Sequence, residues 1–470
     1  FDKAVVIEGE PVIYSTIQGA IDDADAGDTI YVAAGTYEEQ VVINKDLTLI
    51  GVDDPTITPP VTVDAYTFAE SSATWEPVVL AYGGTADESN NVSGTETINF
   101  SMSGFIVDGA DKVPSDRSAG ILLRNVVGTV SDNTVQNMHV DGKETFGILA
   151  YGDSTVTIDS NTVSGYARGG IAANGDGDTL IDPVATIINN TVTGPGMDAV
   201  VTWAPNGIQI GWGATGSIEG NTVSGNGWPG SEWTGSGIII YGSDGVLIKD
   251  NETHNNETAI VTSDASGTQI DGNDVHNNEY GIVTQTGSEN TIINGNTVQE
   301  NSAGIFVSSG SVNTTITQNI VTLNVVDGID VYGSSEATYP TGTIIEYNQI
   351  FDNNTGDEEE CGGLWVLDGI SVNASPNWWG SIYGPADGQV YGDVEYSPWC
   401  GDAECSFLVY PLEGEITDTV TVDASIVYFL KDGTKIDTGG ACFDITASNV
   451  TIMTESPGGA VCYPGSPGIQ

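Results

Sequence analysis

Positive charge is what this sequence has least of. Ten Lys and Arg stand against 65 Asp and Glu, a formal net charge of −55 over 470 residues. Such an excess repels nucleic-acid phosphates and anionic membranes, so neither is an expected partner. It favours cations instead (Ca²⁺, Na⁺ or a basic protein surface), besides keeping the chain soluble. No apolar run reaches the roughly 18 residues that a membrane-spanning helix needs. Histidine is nearly absent, at three residues, and no CxxC or Cys/His spacing occurs, which argues against zinc. The acid is not a disordered tail: hydrophobic content is 39% and the charge is spread along the chain.

Cysteine is missing from the first three quarters of the chain. Cys361, Cys400, Cys405, Cys442 and Cys462 all lie near the end. Cys400 and Cys405 can close a small loop, and Cys442 and Cys462 sit about one repeat apart. Disulfides place the protein in an oxidising compartment, secreted or at a cell surface, with Cys361 left as a free thiol or an intermolecular link. A start at Phe1 without Met fits a processed, mature product.

What is present is a repeat. Phrases such as SDNTVQN, DSNTVSG and DGNDVHN share an Asn at positions 133, 161, 190, 221, 251, 273, 296, 319 and 348, with gaps of 22 to 31 residues. In step runs a Gly-Ile phrase starting at Gly120, Gly147, Gly170, Gly207, Gly237, Ala259, Gly281, Gly304 and Gly328. The shortest gaps fit one triangular coil of three short strands and three turns, and the longer ones fit coils with loops inserted at turns. Alternation, as in Thr155–Asp159, points Val and Ile inward and Thr and Asp outward. No helical stripe competes. Coils would stack about 4.8 Å apart, each strand pairing with those above and below. Asn133, Asn161, Asn190, Asn221, Asn251, Asn273, Asn296, Asn319 and Asn348 are expected at left-handed corners, each amide donating to one neighbour and accepting from the other. Gly before Ile is expected at another tight corner.

At this point the sequence resembles the pectin-lyase-like superfamily, in particular its NosD-like and surface-protein branches. The resemblance rests on the repeats, on YSTIQGAIDDADAGDTIYVAAGTYEEQVVINKDLTLIGVD from Tyr14 to Asp53, and on SPNWWGSIYGPADG from Ser375 to Gly388. It implies an all-β, right-handed, single-stranded parallel β-helix (a solenoid) with a short N-terminal capping helix and closing NWWG phrase, over roughly residues 14 to 400. The residues support the helix on their own: Ser15 with Gln18 forms a capping box, Ile17, Ile21 and Ala24 share a face, and Gly27 is a stop signal. The expected domains are 1–60, the cap and first coils; 61–400, the β-helix with inserted loops; and 401–470, a β extension that begins a second β-helix or forms an assembly domain.

The chemistry of the superfamily's enzymes is harder to find. A lyase site needs Asp-bound Ca²⁺ beside Arg or Lys, but Lys112, Arg117, Arg124, Lys143, Arg168 and Lys249 form no cluster in the sequence, and hydrolase and epimerase phrases are missing. DGID at Asp327 to Asp330 falls at a routine Gly-Ile phrase. Asn174, Asp176, Asp178 and Asp182 set oxygens at alternate positions of a Gly-rich loop, either a Ca²⁺ site or a solvated turn. Asp357, Glu358, Glu359 and Glu360 form a second acidic loop. Trp203, Trp212, Trp228 and Trp233 crowd the inserted loops, either as a polysaccharide-binding strip or as packing against the solenoid wall. Trp378 and Trp379 are expected in the core. Sequons occur at Asn91, Asn99, Asn189, Asn251, Asn256, Asn313, Asn353, Asn373 and Asn449, with Asn373 weakened by the Pro after its Ser. The expected function is an extracellular structural subunit of a surface layer, sheath or filament, self-associating into a homopolymer. The alternatives are a polysaccharide-binding adhesin and a Ca²⁺-dependent polysaccharide lyase or hydrolase, with catalysis the less favoured.

Overall fold

The computed structural model describes residues 4–69, 73–111, 117–140, 142–176, 181–199, 201–230, 234–354 and 362–412, and the strand segments 415–416, 420–422, 426–430, 435–436, 443–445, 451–454 and 461–462. Two compact units, Phe1–Ile292 and Ile293–Gln470, divide the chain.

In the first unit each coil contributes one strand to each of three parallel sheets. One coil runs Val126–Ser131, Thr134–Gln136 and Glu144–Tyr151, and the next Thr155–Asp159, Thr162–Ser164 and Gly169–Asn174. We call the three faces first, second and third in that order. Period-two alternation stacks like on like. Val130, Ile158, Ile187, Ile218, Ile248 and Ile270 align on the first face. The Ile of every Gly-Ile phrase from Ile121 to Ile282 aligns on the third. These inward Ile are fully buried, and each such side chain contributes about 1.5–3 kcal/mol by leaving water.

The glycines of that phrase do not make corners. Gly147 lies inside the strand Glu144–Tyr151, and a Cβ there would stand 2.3 Å from Val163 Cγ1 and 2.6 Å from Gly170 O. Gly120, Gly170 and Gly207 meet the Val of the second face in the same way. Glycine is needed for close approach of two faces across the coil, not for a left-handed turn.

Left-handed backbone does occur at the Asn corners, one residue earlier than expected. Asp132, Ser160, Asn189, Gly220, Asp250 and Gly272 have φ near +60° and immediately precede the ladder Asn. That residue turns the chain, so the Asn itself keeps an ordinary backbone and points its amide inward. Asn133 donates from both its backbone N (3.1 Å) and Nδ2 (3.0 Å) to Asn161 Oδ1. The same pair of bonds links Asn161 to Asn190, Asn190 to Asn221, Asn221 to Asn251 and Asn251 to Asn273.

Sequence reading missed a second ladder at the corner between the second and third faces. Asn226 donates to Asn256 Oδ1 and Asn256 to Asn278 Oδ1. Its signal is an Asn five residues after the first, in phrases such as Asn251-Glu-Thr-His-Asn-Asn256.

The N-terminal end is closed. Helix α1, Ile17–Asp23, buries Ile17, Ala20 and Ile21. Its N-cap is Thr16, whose hydroxyl accepts from Gly19 N, rather than Ser15. Glu39 takes the remaining capping role, its carboxylate accepting from Ile17 N at 2.8 Å and Gln18 N at 2.9 Å. Gln18 instead pairs with the backbone of Val42 as a strand would, accepting from its N and donating to its O. The helix ends at Ala24, before Gly27. Strand Val5–Ile7 pairs antiparallel with Ile30–Val32 and covers that sheet edge.

The second unit repeats the arrangement. Asn296, Asn319, Asn348 and Asn377 form one ladder, the last supplied by the NWWG phrase. Asn301, Asn324 and Asn353 form the other. Trp379 is buried, and Trp378 is half-buried. Past Trp399, strands Leu408–Leu412, Ile426–Leu430 and Thr451–Thr454 pair in parallel, as do Glu415–Ile416, Lys435–Ile436 and Val461–Cys462, and Val420–Val422 with Phe443–Ile445. Cys400 and Cys405 are bonded. Cys361 and Cys442 lie outside the described residues, and only the backbone of Cys462 is described.

Candidate functional site

The outward side of the third face decides where a ligand can reach. Its first stretch is covered: Tyr66, Phe68, Trp75 and Val92 pack over Leu122, Leu149 and Ala172. In the next coil the same position is Gln209, followed by Ile239, Val261 and Val283 in register. Here a pocket of about 560 Å³ opens, walled by Trp203, Trp212, Trp228 and Tyr241 and floored by Asn206 and Gln209.

Each wall has a local cause. Trp203 and Trp228 come from the two chain insertions that precede the third-face strands Asn206–Gly211 and Ser236–Tyr241. Trp228 is fixed at both ends: Nε1 donates to Val201 O (2.9 Å), and its backbone N donates to Glu257 Oε2 (2.8 Å), which also accepts from Gly235 N. Trp212 follows strand Asn206–Gly211 with φ of +54°, a conformation that costs a bulky residue about 1–3 kcal/mol. That turn leans its ring toward Tyr241, centroids 5.5 Å apart. Trp203 is 41% and Trp212 37% exposed, so both present ring area to a ligand. Trp233 lies outside the described residues.

The floor is an amide relay. Asn206 Nδ2 donates to Gln209 Oε1 (2.8 Å), and Gln209 Nε2 donates to Asn174 Oδ1 (2.7 Å). Asn206 is 3% exposed, and among the described residues its Oδ1 has no hydrogen-bond partner. A buried, unpaired carbonyl oxygen costs about 1–3 kcal/mol, which a ligand donor can return. Arg168 stands at the rim, its Nη1 donating to Ala204 O at 2.7 Å. Burial pulls its guanidinium below its ordinary pKa, and Glu144 pulls the other way.

The other basic side chains are elsewhere. Arg117 pairs with Glu144 at 2.8 Å. Arg124 is buried, donating to Gly83 O and Gly94 O. Lys112 lies outside the described residues.

Two of the residues expected to hold Ca²⁺ have close neighbours of their own. Asn174 Oδ1 belongs to the relay. Asp182 sits against Gly175 and Gly213, at distances where any Cβ would collide with its carboxylate oxygens. Burial raises its pKa, while the Asp176 backbone N–H works against the rise and the Asp176 charge with it. Asp178 and the 357–360 loop lie outside the described residues. Among the described residues no three His, Cys, Asp or Glu gather closely enough to hold a metal ion.

Three of the sequons are corrected by the ladders. Asn251 and Asn256 are buried, and Asn353 is half-buried with its Nδ2 donating to Val321 O and Phe351 O. Nδ2 is the atom a glycan would be attached to, and in these three it is committed inside the folded chain. Asn91, Asn99, Asn189, Asn313 and Asn373 are exposed, and Asn449 lies outside the described residues.

A solenoid of three parallel sheets, here with an aromatic-walled surface pocket, defines the class: a parallel β-helix protein. The chain belongs to the right-handed parallel β-helix superfamily, the family model for the right handed beta helix region matching residues 119–231 and 184–350. Solved structures of similar fold include the A-module of mannuronan C-5 epimerase AlgE6 from Azotobacter vinelandii, 16% identical with a TM-score of 0.48 over 81% of this chain and 94% of that one. Others are the periplasmic alginate epimerase AlgG (16%, TM-score 0.42, 78% and 85%) and the Dettilon tailspike protein (14%, TM-score 0.36, 88% and 62%). At these identities the likeness is one of fold alone. No curated protein matches the sequence. No helix among the described residues is long and apolar enough to cross a membrane.

Proposed function

We propose that the protein is an extracellular glycan-binding β-helix that holds a saccharide in the Trp203–Trp212–Trp228–Tyr241 pocket. The observation that carries this reading is the unpaired Asn206 Oδ1 on a floor walled by indole rings. A sugar ring has an apolar C–H face for the indoles and hydroxyls that can donate to Asn206. Gln209, whose own amide is committed, sets the direction of Asn206, so the oxygen rather than the nitrogen is left for the ligand. The Cys400–Cys405 disulfide supports an oxidising, extracytoplasmic setting.

A self-assembling subunit has less support. Head-to-tail stacking needs open sheet edges, and at the N-terminal end helix α1 and strand Val5–Ile7 close them. Among the described residues lining this pocket no acid–base pair gathers.

Glycan arrays followed by affinity electrophoresis test the reading. Trp203→Ala and Trp212→Ala should each cost about 1–2 kcal/mol of binding, roughly 5- to 30-fold. Asn206→Leu should weaken binding without changing the melting transition. An array with no retained glycan refutes it.

A further inference from the structure

The second unit holds another outward row on its third face, made of different chemistry. Phe306, Asp330, Trp365 and Tyr391 occupy the same register in successive strands. Tyr332, two residues beyond Asp330, leans across the row, its ring 6.2 Å from Phe306 and 6.4 Å from Trp365. Trp365 and Tyr391 lie parallel at 6.1 Å. Phe306 and Trp365 thus flank Asp330 in register, and among the described residues its buried Oδ1 has no hydrogen-bond partner. Asp327, buried at 7% exposure, accepts from Gly362 N at 3.0 Å and adds a second negative charge nearby.

Between Lys249 and Lys431 the sequence contains no Lys or Arg. A desolvated carboxyl beside aromatic residues, in a stretch without Lys or Arg, is complementary to a cation. Ring faces and carboxylate both attract positive charge, and rings do so best for a weakly hydrated one. A hard metal ion is a poor match, because aromatic rings supply no oxygen ligands.

We propose that the Asp330 row is a binding site for an organic ammonium ion, a quaternary or alkylated amine held between the Asp330 carboxylate and the faces of Tyr332 and Trp365. None of its residues is shared with the glycan pocket, so either site can fail without the other.

Protonation of Asp330 gives the site a pH signature. Burial first, and Asp327 second, push its pKa up to about 7. Among the described residues the titratable groups on its own and the adjoining strands are Asp327, Tyr332 and Tyr391; strands Ala303–Ser308 and Leu364–Val366 bring none. Below the raised value Asp330 is neutral and binds an ammonium ion poorly; above it the carboxylate forms and binding strengthens. One ionisation near 7 makes affinity about tenfold higher at pH 8 than at pH 6.

Isothermal titration of the full chain with choline chloride at constant ionic strength tests this, with 3,3-dimethylbutan-1-ol as the uncharged isostere. The expected result is choline binding that tightens about tenfold from pH 6 to 8, with no binding of the alcohol. Asp330→Asn should remove the pH dependence and weaken binding at pH 8, and Trp365→Ala should weaken it at both. Absence of choline binding, equal binding of the alcohol or a flat pH profile in the unsubstituted protein overturns the proposal. Those arms need no variant, so a substitution that fails to fold leaves the test intact.

Discussion

Replacing Asn221 with Ala would remove one link from the first ladder and show how much the ladder contributes. Asn221 is 1% exposed. Its Oδ1 accepts from Asn190 N at 2.8 Å and Asn190 Nδ2 at 3.0 Å. Its Nδ2 donates to Ile187 O, Glu219 O and Asn251 Oδ1. In the Ala variant Asn190 Nδ2 keeps its bonds to Ile158 O and Ile188 O, and the backbone bond from residue 221 to Asn251 Oδ1 survives. The Asn190 N–H is the group stranded by the change, since the Ile187 carbonyl keeps its ladder bond from Glu219 N. At about 1–3 kcal/mol for a buried, unsatisfied group, the cost is roughly 1–3 kcal/mol. Thr191→Ala, on an exposed strand position of the same region, should stay within about 0.5 kcal/mol. Asn221→Asp would keep both acceptances while forfeiting three donations and burying a charge, so it should be at least as harmful. Guanidinium unfolding gives the total, and amide hydrogen exchange gives its place. Because a solenoid couples mainly to nearest neighbours, protection should fall at Asn190 and the adjoining coils and hold at Ile121. If Asn221→Ala unfolds no earlier than Thr191→Ala, the ladder is not a source of stability and the argument fails.

Gly147→Ala should cost about 1–3 kcal/mol by overpacking against Val163; a double-mutant cycle with Val163→Ala should recover part of it, and no recovery would assign the glycine another role. Expression in a host that glycosylates should leave Asn251, Asn256 and Asn353 unmodified while exposed sequons such as Asn189 and Asn313 remain available; glycopeptide mass spectrometry finding sugar on any of the three contradicts the ladder geometry.

Repetition is what made the architecture legible. The Asn positions from Asn133 to Asn348 and the inward Ile of each Gly-Ile phrase recur because each faces the same neighbours one coil away, so periodicity alone reveals them. Finer conformation was less accessible. The left-handed residue at each corner is Asp132, Ser160, Asn189 or even Tyr347, a set with no common letter, because the inward amide of the following Asn holds the corner whatever precedes it. The second ladder carried an equally regular signal, Asn five residues after Asn. Its regularity begins only at Asn226, because the three coils before it carry Met138, Tyr166 and Pro195 at that position.

The sites were harder to read for the opposite reason: a binding residue breaks the repeat. The third letter of the Gly-Ile phrase points outward on the third face, and it reads Leu122, Leu149, Ala172, Gln209, Ile239, Val261, Val283, Phe306 and Asp330. Only two of the nine are polar. Gln209 orients Asn206 in the aromatic-walled pocket, and Asp330 carries the buried carboxyl oxygen of the second unit. Tryptophan drew notice by its rarity, whereas Gln209 and Asp330 are commonplace residues whose meaning depends on the column they interrupt. In a solenoid, inward letters are held by packing against both neighbouring coils and tolerate little change. An outward letter answers to solvent, to a covering loop or to a ligand. The outward apolar residues Leu122 and Leu149 lie beneath the Tyr66–Val92 cover; where that cover ends, the first departure from apolar character is Gln209, at the floor of the pocket. Polar exceptions in an outward apolar column are therefore a physical criterion for locating binding residues in a β-helix, independent of any unusual residue type.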